Sequence, residues 1–329
     1  MPQMLRAFVV AGFTLALAGC GGNSATNPTP IPTPSPTPAP DGFTMLFVGD
    51  IGQCGSPGPE ITARIADWLL DHSGPVIVRF HTGGDNEQSD GSEGAYRACF
   101  MPAWDQFKSF LYPAVGNHDY WGQPNPFYYT YFGARAIWNG KDGYYSYAEG
   151  SWLVLVLNSE LLFRQSDAER QVGQMAFMHA QLAANPEKSV IAIWHRPRWG
   201  HGENGDAREV QTFRDELKDR TGVILNGHEH HYERFSKLDV QGDRDDANGI
   251  RSFTVGTGGG FLYGFRNVRC SKSEFRHVDK NGRVTDFGVL RLRFRNNGTY
   301  SWEYFIWPDG APEPIVVDSD LKIGTQSCP

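Results

Sequence analysis

Residues 223–235 read VILNGHEHHYERF, and this stretch decides the architecture. Val223, Ile224 and Leu225 form an apolar run too short for a buried helix and of the right length for one buried strand. Asn226-Gly227 breaks it, so His228 and His230 stand where a strand leaves its sheet. In an extended segment, residues two apart point to the same side. The two imidazoles therefore either converge on one centre or flank a pair of centres. A lone His-x-His is a weak metal signal. Its weight here comes from Asp50, Asp85, Asn117 with His118, and His195, each of which follows an apolar, strand-like run or lies in a Gly-flanked turn.

Toward the N-terminus, residues 43–49 (FTMLFVG) run into Asp50, and residues 76–80 (VIVRF) end shortly before Gly83-Gly84-Asp85. Between them Ile61, Ile65 and Leu69 repeat at helical spacing behind Pro59, which suits a first helical turn. Such a βαβ unit gathers the loops at the carboxyl ends of its strands, which makes Asp50 and Asp85 neighbours in space. Residues 112–115 (YPAV) then deliver Gly116-Asn117-His118-Asp119: an uncharged oxygen ligand, an imidazole able to carry a proton, and a carboxylate able to hold its tautomer. The aromatic stretch 120–143 reads as a satellite core, with one or two residues free to line a cleft.

Further strands are expected at 152–157 (WLVLVL) and 190–194, the second delivering His195 before Arg196-Pro197 stops it. Ser166 and Glu169 have capping-box spacing for a helix that buries Val172, Met175, Ala176, His179 and Leu182 on one face. His201 lies in the loop Gly200-His201-Gly202, and a helix over 208–220 leads back to Val223. The strand at 251–255 delivers five residues, Gly256 to Gly260, of which only Thr257 is not glycine. They lack the lysine and following Ser/Thr of a phosphate loop, so a close backbone approach is expected instead. Leu290, Leu292 and Phe294 alternate with arginines, turn at Asn296-Asn297-Gly298 and return over 300–307 as a hairpin with one wet face.

The chain has 329 residues, is 40% hydrophobic and carries a formal net charge of -7, which allows one large globular domain and offers no basic surface for nucleic acid. Residues 1–19 fit an export signal with a short apolar core, and Leu17-Ala18-Gly19-Cys20 resembles the lipobox of bacterial lipoproteins, with Cys20 acylated as a membrane tether. From Pro28 to Pro40 proline takes every second place, and within the linker 20–41 the run 27–40 reads as a polyproline II spacer of about 40 Å. The globular domain is expected over 42–329, exported and tethered to a bacterial envelope membrane on its periplasmic or cell-surface side. It keeps four cysteines, which an oxidising compartment would pair, Cys54 with Cys99 and Cys270 with Cys328 being the favoured pairing.

Six candidate ligands, Asp50, Asp85, Asn117, His195, His228 and His230, offer carboxylate, amide and imidazole donors without thiolate. The set suits hard or borderline ions and is too large for one tetrahedral zinc. Two ions about 3.5 to 4 Å apart would share a carboxylate and a hydroxide and polarise a bound phosphate. Phosphoryl transfer then needs little more than a cationic or hydrogen-bonding contact and an acid for the leaving oxygen.

Gly49-Asp50-Ile51-Gly52, Gly84-Asp85-Asn86, Gly116-Asn117-His118-Asp119, Trp194-His195 and Gly227-His228-Glu229-His230 fall in the order and spacing of the calcineurin-like metallophosphoesterases, which the chain resembles. Residues 227–234 (GHEHHYER), with glycine at Gly52, are similar to the purple acid phosphatase branch. The likeness to secreted bacterial members of that branch extends through 143–147, Leu157-Asn158-Ser159-Glu160, 255–259 and 287–290. The resemblance implies an α/β fold, a four-layer αββα sandwich with the metal site at the strand C-terminal ends. It implies two ions (Fe, Zn or Mn) and a phosphate-ester substrate. Asp50 and His230 would bind the first ion, Asp85 would bridge, and Asn117, His195 and His228 would bind the second. His118, oriented by Asp119, would be the general acid or a phosphate contact, and His201 a further substrate contact. Purple acid phosphatases carry a tyrosine three residues after the bridging aspartate, where this chain has Gln88, so the first ion loses a ligand unless Gln88, Glu87 or water replaces it. The leading expectation is a phosphomonoesterase. The alternatives are a phosphodiesterase or nucleotidase, and a surface binding protein whose metal site has degenerated.

Overall fold

The computed structural model describes residues 41–74, 76–120, 127–137, 142–266 and 272–321. Cys20, the proline-rich spacer, Trp121, Trp138, Cys270 and Cys328 therefore lie outside the described residues. The described residues fall in one compact unit. Its elements in chain order are β1 (Phe43–Val48), α1 (Gly58–Asp71), β2 (Val78–Thr82), β3 (Leu111–Pro113), β4 (Tyr145–Glu149), β5 (Trp152–Val156), α2 (Ala168–Ala184), β6 (Ser189–Ile193), α3 (Gln211–Glu216), β7 (Gly222–Asn226), β8 (Tyr232–Leu238), β9 (Ile250–Val255), β10 (Ser273–Arg276), β11 (Gly288–Phe294), β12 (Tyr300–Ile306) and β13 (Ile315–Ser319). Short helical turns fill 93–110 and 127–136.

The strands make two sheets, ordered β13-β12-β11-β1-β2-β3 and β10-β8-β9-β7-β6-β5-β4. Strands β1, β2 and β3 run parallel, as do β5, β6, β7 and β9. Alternation along β1 separates the layers. Phe43, Met45 and Phe47 point into the core between the sheets, with Leu290, Leu292, Ile191, Ile193, Leu225 and Val255. Leu46 and Val48 point outward onto Ile65, Leu69, Phe80 and Trp104 beneath α1 and the 93–110 turns. On the second sheet Leu153, Leu155, Ala192 and Ile224 face Met178 and Leu182 of α2 and Phe213 of α3. Helices on sheet, sheet on sheet and sheet on helices make the four layers that the family resemblance implied, and β1, β5, β6 and β7 carry apolar side chains on both faces.

Parallel connections bring the carboxyl ends of β1, β2, β6, β7 and β9 to one rim. There the two sheets meet by backbone: Gly49 N–H donates to the Val255 carbonyl (2.8 Å) and Gly258 N–H to that of Gly49 (2.9 Å). A Cβ on Gly258 would lie 2.4 Å from the Gly49 oxygen, and one on Gly259 only 1.7 Å from the Ile51 oxygen. The glycine run after β9 thus serves the close approach. Cys54 and Cys99 are joined in a disulfide that ties the loop after β1 to the turns after β2.

Several local expectations shift. The second strand covers Val78–Thr82 instead of 76–80, because its parallel register sets Val78 opposite Thr44 and Thr82 opposite Val48. Ser166 does not cap α2: the helix begins at Ala168, and Asp167 instead pairs with Arg170 (3.0 Å). The buried face of α2 is Gln174, Met178 and Leu182, so Val172 is exposed, and His179 is an exposed residue beside Glu216 (3.5 Å) instead of a packing one. The helix before β7 is a 3-10 turn followed by the short α3. The outer face of the β11–β12 hairpin is wet only in part: Val289 and Arg291 are buried, Arg291 over the Phe305 ring and paired with Glu303. Tyr120, Tyr128, Tyr131 and Phe132 do form a core beneath the first sheet.

Strands β8, β10 and β13 carried no clear signal. They are joined through charge. Asp318 of β13, fully buried, accepts hydrogen bonds from the Tyr232 hydroxyl (2.7 Å), Arg234 Nε (2.8 Å) and Trp302 Nε1 (3.3 Å). Tyr232 and Arg234 belong to the other sheet, so one carboxylate fastens the two sheets together.

Candidate metal centre

At the rim, three of the five non-glycine residues with left-handed backbone among those described are Asp50 (φ 61°), Asp85 (φ 48°) and His228 (φ 72°). Such conformations cost roughly 1–3 kcal/mol each and persist where the surroundings enforce them, characteristically at functional sites. The surroundings here are glycines. A Cβ on Gly116 would lie 2.2 Å from Asp85 Oδ1, one on Gly84 2.6 Å from His195 Nδ1, one on Gly227 2.6 Å from Asp50 Oδ2, and one on Gly260 2.5 Å from the His230 ring.

The six donors divide into two groups. Asp85 Oδ2 lies 3.2 Å from His195 Nε2, which is 3.2 Å from Asn117 Oδ1 and 3.2 Å from His228 Nδ1. One donor atom each from Asp85, His195 and His228 fall within 4.8 Å of one another. On the other side, His230 Nε2 is 3.4 Å from Asp50 Oδ1. Asp50 Oδ1 is buried without a hydrogen-bond partner among the described residues, whereas Oδ2 accepts the His228 N–H (2.7 Å). His228 and His230 therefore flank two positions instead of converging on one. The reason is that Gly227 to His231 is a looped segment, closed by hydrogen bonds from Glu229 N–H to Gly227 O and from His231 N–H to Glu229 O, and is not an extended one. Carbonyls behind the rings orient them: His195 Nδ1 faces Gly83 O (2.8 Å) and His230 Nδ1 faces Phe261 O (2.9 Å), leaving both Nε2 atoms toward the carboxylates.

Charge balance indicates what these groups hold. Burial pushes the Asp85 carboxyl up, but His195 beside it, with His118 and His228, holds it well below the usual carboxylate range. Burial disfavours charge on His195, yet the Asp85 and Asp50 carboxylates outweigh it and push the imidazole up to about 10. Burial, His195 and Arg196 hold His228 well below its ordinary value. Two buried carboxylates thus demand positive charge in their midst. The orphaned Asp50 oxygen, the imidazoles turned inward and the oxygen–nitrogen donor set fit divalent or trivalent ions, whose binding would release the proton from His195.

Four residues, Asp119, His201, Gln88 and Glu87, are placed otherwise than expected. Asp119 does not orient His118. Its buried carboxylate accepts from the Tyr96 hydroxyl (2.6 Å), Asn86 Nδ2 (2.9 Å) and Gly116 N–H (3.0 Å), and burial with the Asp85 charge pushes it up to about 7. It shapes the turn that carries Asn117, while His118 Nδ1 faces the Ser89 carbonyl (3.2 Å). His118 itself is partly exposed, with Nε2 4.0 Å from Asp85 Oδ2. His201 is absent from the residues lining the cleft. It is buried with Nδ1 2.8 Å from Glu233 Oε1 and its ring stacked on Phe235. Glu233 draws it there, because that buried carboxylate also holds Arg276 (2.9 Å) and needs several donors. Gln88 does not face the first position either: its Nε2 donates to the Asp85 carbonyl (3.3 Å). The Glu87 carboxylate is spent on the N–H groups of Ser89, Asp90 and Gly91.

A cleft of about 320 Å³ opens over the donors, lined by Asp85, Asn117, His118, Arg196, Asn204, His228, His230 and Tyr263. Arg196, Asn204 and Tyr263 went unnoticed in the sequence, since nothing about a lone residue in a loop marks it as facing a site. Tyr263 stacks on His230 (4.8 Å between ring centres), and its hydroxyl donates to the His228 carbonyl (2.9 Å). Burial, Glu229 and Asp50 hold that phenol well above its ordinary value. With Tyr263 held neutral and Gln88 at the family's tyrosine position, iron-loaded protein is expected to show no tyrosinate charge-transfer band. A visible absorption spectrum checks this, and a band lost in Tyr263→Phe would contradict it.

Glu233 yields a pH prediction. Burial raises its pKa, but the hydrogen bond from His201 and the adjoining His231 outweigh burial and hold it well below its ordinary value of 4.5. A depressed carboxylate adds stability that is present above that value and is lost as the pH falls below it. Thermal melts from about pH 6 down to about pH 3 are expected to fall more steeply for wild type than for Glu233→Gln. Parallel curves would mean that Glu233 is not the titrating group.

A two-sheet α/β sandwich with paired oxygen–nitrogen donor sets at its strand ends defines a metallo-hydrolase class of site. Residues 43–232 match the family model described as calcineurin-like phosphoesterase, and the chain belongs to that family. It is 25% identical over 238 residues to purple acid phosphatase 22 of Arabidopsis thaliana, covering 64% of this chain and 51% of that protein. The chain thus spans about half the length of that curated relative. Among solved structures it is similar to purple acid phosphatase PPD1 of yellow lupin (TM-score 0.60, 20% identity, 84% of this chain and 53% of that one). It is also similar to GAP50, the anchor in the inner membrane complex of Plasmodium (TM-score 0.61, 14% identity, 84% of this chain and 87% of that one). At these identities the two structures speak for the fold alone.

Proposed function

We propose that this chain is a metal-dependent phosphomonoesterase of the acid phosphatase type. The observation that carries the reading is the division of the six donors into two adjoining groups beneath one cleft. In this reading Asp50 and His230 would hold one ion and Asn117, His195 and His228 the other, with Asp85 as a ligand available to both. When bound, the ions supply Lewis acidity and a nucleophile at neutral pH. The chain's own residues do the rest. His118, partly exposed at the cleft and backed by the Ser89 carbonyl, protonates the leaving oxygen. Asn86, Tyr96 and Gly116, gathered by Asp119, keep the Asn117–His118 turn in place.

The test is turnover of p-nitrophenyl phosphate against its bis ester, with metal content measured on the same sample. Preference for the monoester with about two ions per chain supports the reading. Preference for the bis ester makes the chain a phosphodiesterase. The arrangement of Gln88 and Glu87, neither of which faces the first position, favours one further reading: a binding protein that keeps the fold but holds fewer ions. Retention of one ion or none, with no turnover of either ester, would establish it.

We also propose export and lipid anchoring at Cys20 to a bacterial envelope membrane. The Leu17-Ala18-Gly19-Cys20 sequence supports this, as does the Cys54–Cys99 disulfide, a bond that forms in oxidising compartments. Incorporation of labelled palmitate that persists in Cys20→Ser would refute it.

A further inference from the structure

The residues Asn158-Ser159-Glu160 after β5 bind no candidate ion position, yet Ser159 and Glu160 are buried at the edge of the cleft. What they hold is Arg196. Its Nε donates to both oxygens of Glu160 (2.8 and 3.0 Å), its backbone N–H donates to Ser159 Oγ (3.2 Å), and its guanidinium lies over the Phe163 ring (4.6 Å). Asn158 Oδ1 in turn accepts the Glu160 N–H (3.0 Å). An arginine held by a buried carboxylate on one edge and an aromatic face on another has little freedom left to lose on binding a ligand. Its remaining edge faces the cleft. Nη1 is 3.0 Å from His228 Nε2, and Nη2 has no protein partner among the described residues.

We infer that Arg196 is the cationic contact for the substrate's phosphate, held in place by Glu160, and that it selects the doubly charged monoester over the singly charged diester. This rests on the reading of the site given above and names the residue that sets its substrate class. The fork of a guanidinium matches two phosphate oxygens at once, and each charge-assisted hydrogen bond gains from the second negative charge that only a monoester carries.

The contact to His228 explains how the guanidinium becomes available. A neutral imidazole has one donor and one acceptor nitrogen. While Nε2 accepts from Arg196, Nδ1 carries the proton and has no lone pair to give. With His228 Nδ1 given to an ion, the imidazole proton would sit on Nε2, which would then no longer accept from Nη1. The Glu160 contact to Nε does not involve His228 and would keep the Nη edge at the cleft.

The experiment measures the dissociation constant of inorganic phosphate by titration calorimetry on the manganese-loaded full chain, with ion content per chain determined in parallel. Arg196→Gln is expected to weaken phosphate about 10- to 100-fold at unchanged ion content. Arg196→Lys should be intermediate, and Glu160→Gln should weaken phosphate several-fold by freeing the guanidinium. The KM for p-nitrophenyl phosphate should rise in step with the dissociation constant. Because phosphate binding is read without turnover, a chain that binds phosphate but hydrolyses nothing would sink the phosphatase reading and leave this one standing. Phosphate binding within twofold of wild type in Arg196→Gln would overturn the inference. So would loss of ions in Arg196→Gln, which would make Arg196 a support for His228 instead. Should Arg196→Gln fail to fold, Arg196→Lys and Glu160→Gln decide on the same criteria.

Discussion

Asp85→Asn is expected to reduce kcat/KM for p-nitrophenyl phosphate at least about 1000-fold, an increase of roughly 4 kcal/mol in the barrier. The substitution keeps the size of the side chain and its capacity to accept the His118 N–H at Oδ1 (2.8 Å). It removes the charge that draws positive charge onto His195 (3.2 Å away) and that would be shared between two ions. Ion content should fall by about one per chain, since a neutral amide bridges two cations poorly. The fold should survive, because the asparagine relieves the site of one of two buried carboxylates. Unchanged ion content and turnover in this variant would refute the bridging role and with it the dinuclear assignment.

Asp318→Ala should cost stability on a comparable scale, about 3–5 kcal/mol in denaturant unfolding, with the ion positions untouched. Asp318 is fully buried and answers Arg234, which is also buried and additionally pairs with Glu274, and it accepts from Tyr232 and Trp302. Truncation leaves a buried guanidinium with half its charge compensation and a phenol without an acceptor, and breaks the hydrogen bonds that join Asp318 of β13 to Tyr232 and Arg234 of β8. Asp318→Asn, which can still accept from Tyr232, should cost less. A loss below about 1 kcal/mol for the alanine variant would mean that solvent reaches the gap and that the Asp318 contacts add little to what holds the sheets together.

Much of this architecture is local in origin and was therefore legible. The runs around Phe43, Leu153, Val190 and Val223 are apolar on both faces, which only strands buried between layers require. Asp50, Asp85 and His195 stand directly after such strands or in the glycine turns following them, so the rule that parallel strands deliver their ends to one rim sufficed to group them. The glycines told the same story in reverse, since a Cβ at Gly84, Gly116 or Gly227 would strike a ligand.

What depended on neighbours distant in sequence stayed hidden. The buried face of α2 depends on what it packs against: of the residues the spacing put there, Leu182 is buried and Met175 packs against the core, whereas Val172, Ala176 and His179 are exposed. Histidines look alike in a sequence. His201 is spent on Glu233 and His230 on the rim because a buried carboxylate takes whichever donors lie within reach, and reach is a tertiary quantity. The same holds for Asp119, which bonds to Tyr96 and Asn86 instead of the imidazole next to it in the chain.

The sequence by itself determined the layers, the rim and the donor set of this protein, because burial on both faces of a strand and glycine at a close approach are written into single residues and their immediate spacing. Only the tertiary structure decided how the donors divide between two positions, that Glu160 aims Arg196 into the cleft, and that Asp318 fastens one sheet to the other. Each of those outcomes is a hydrogen bond or ion pair between residues at least 32 positions apart, and its partner is chosen by distance in space.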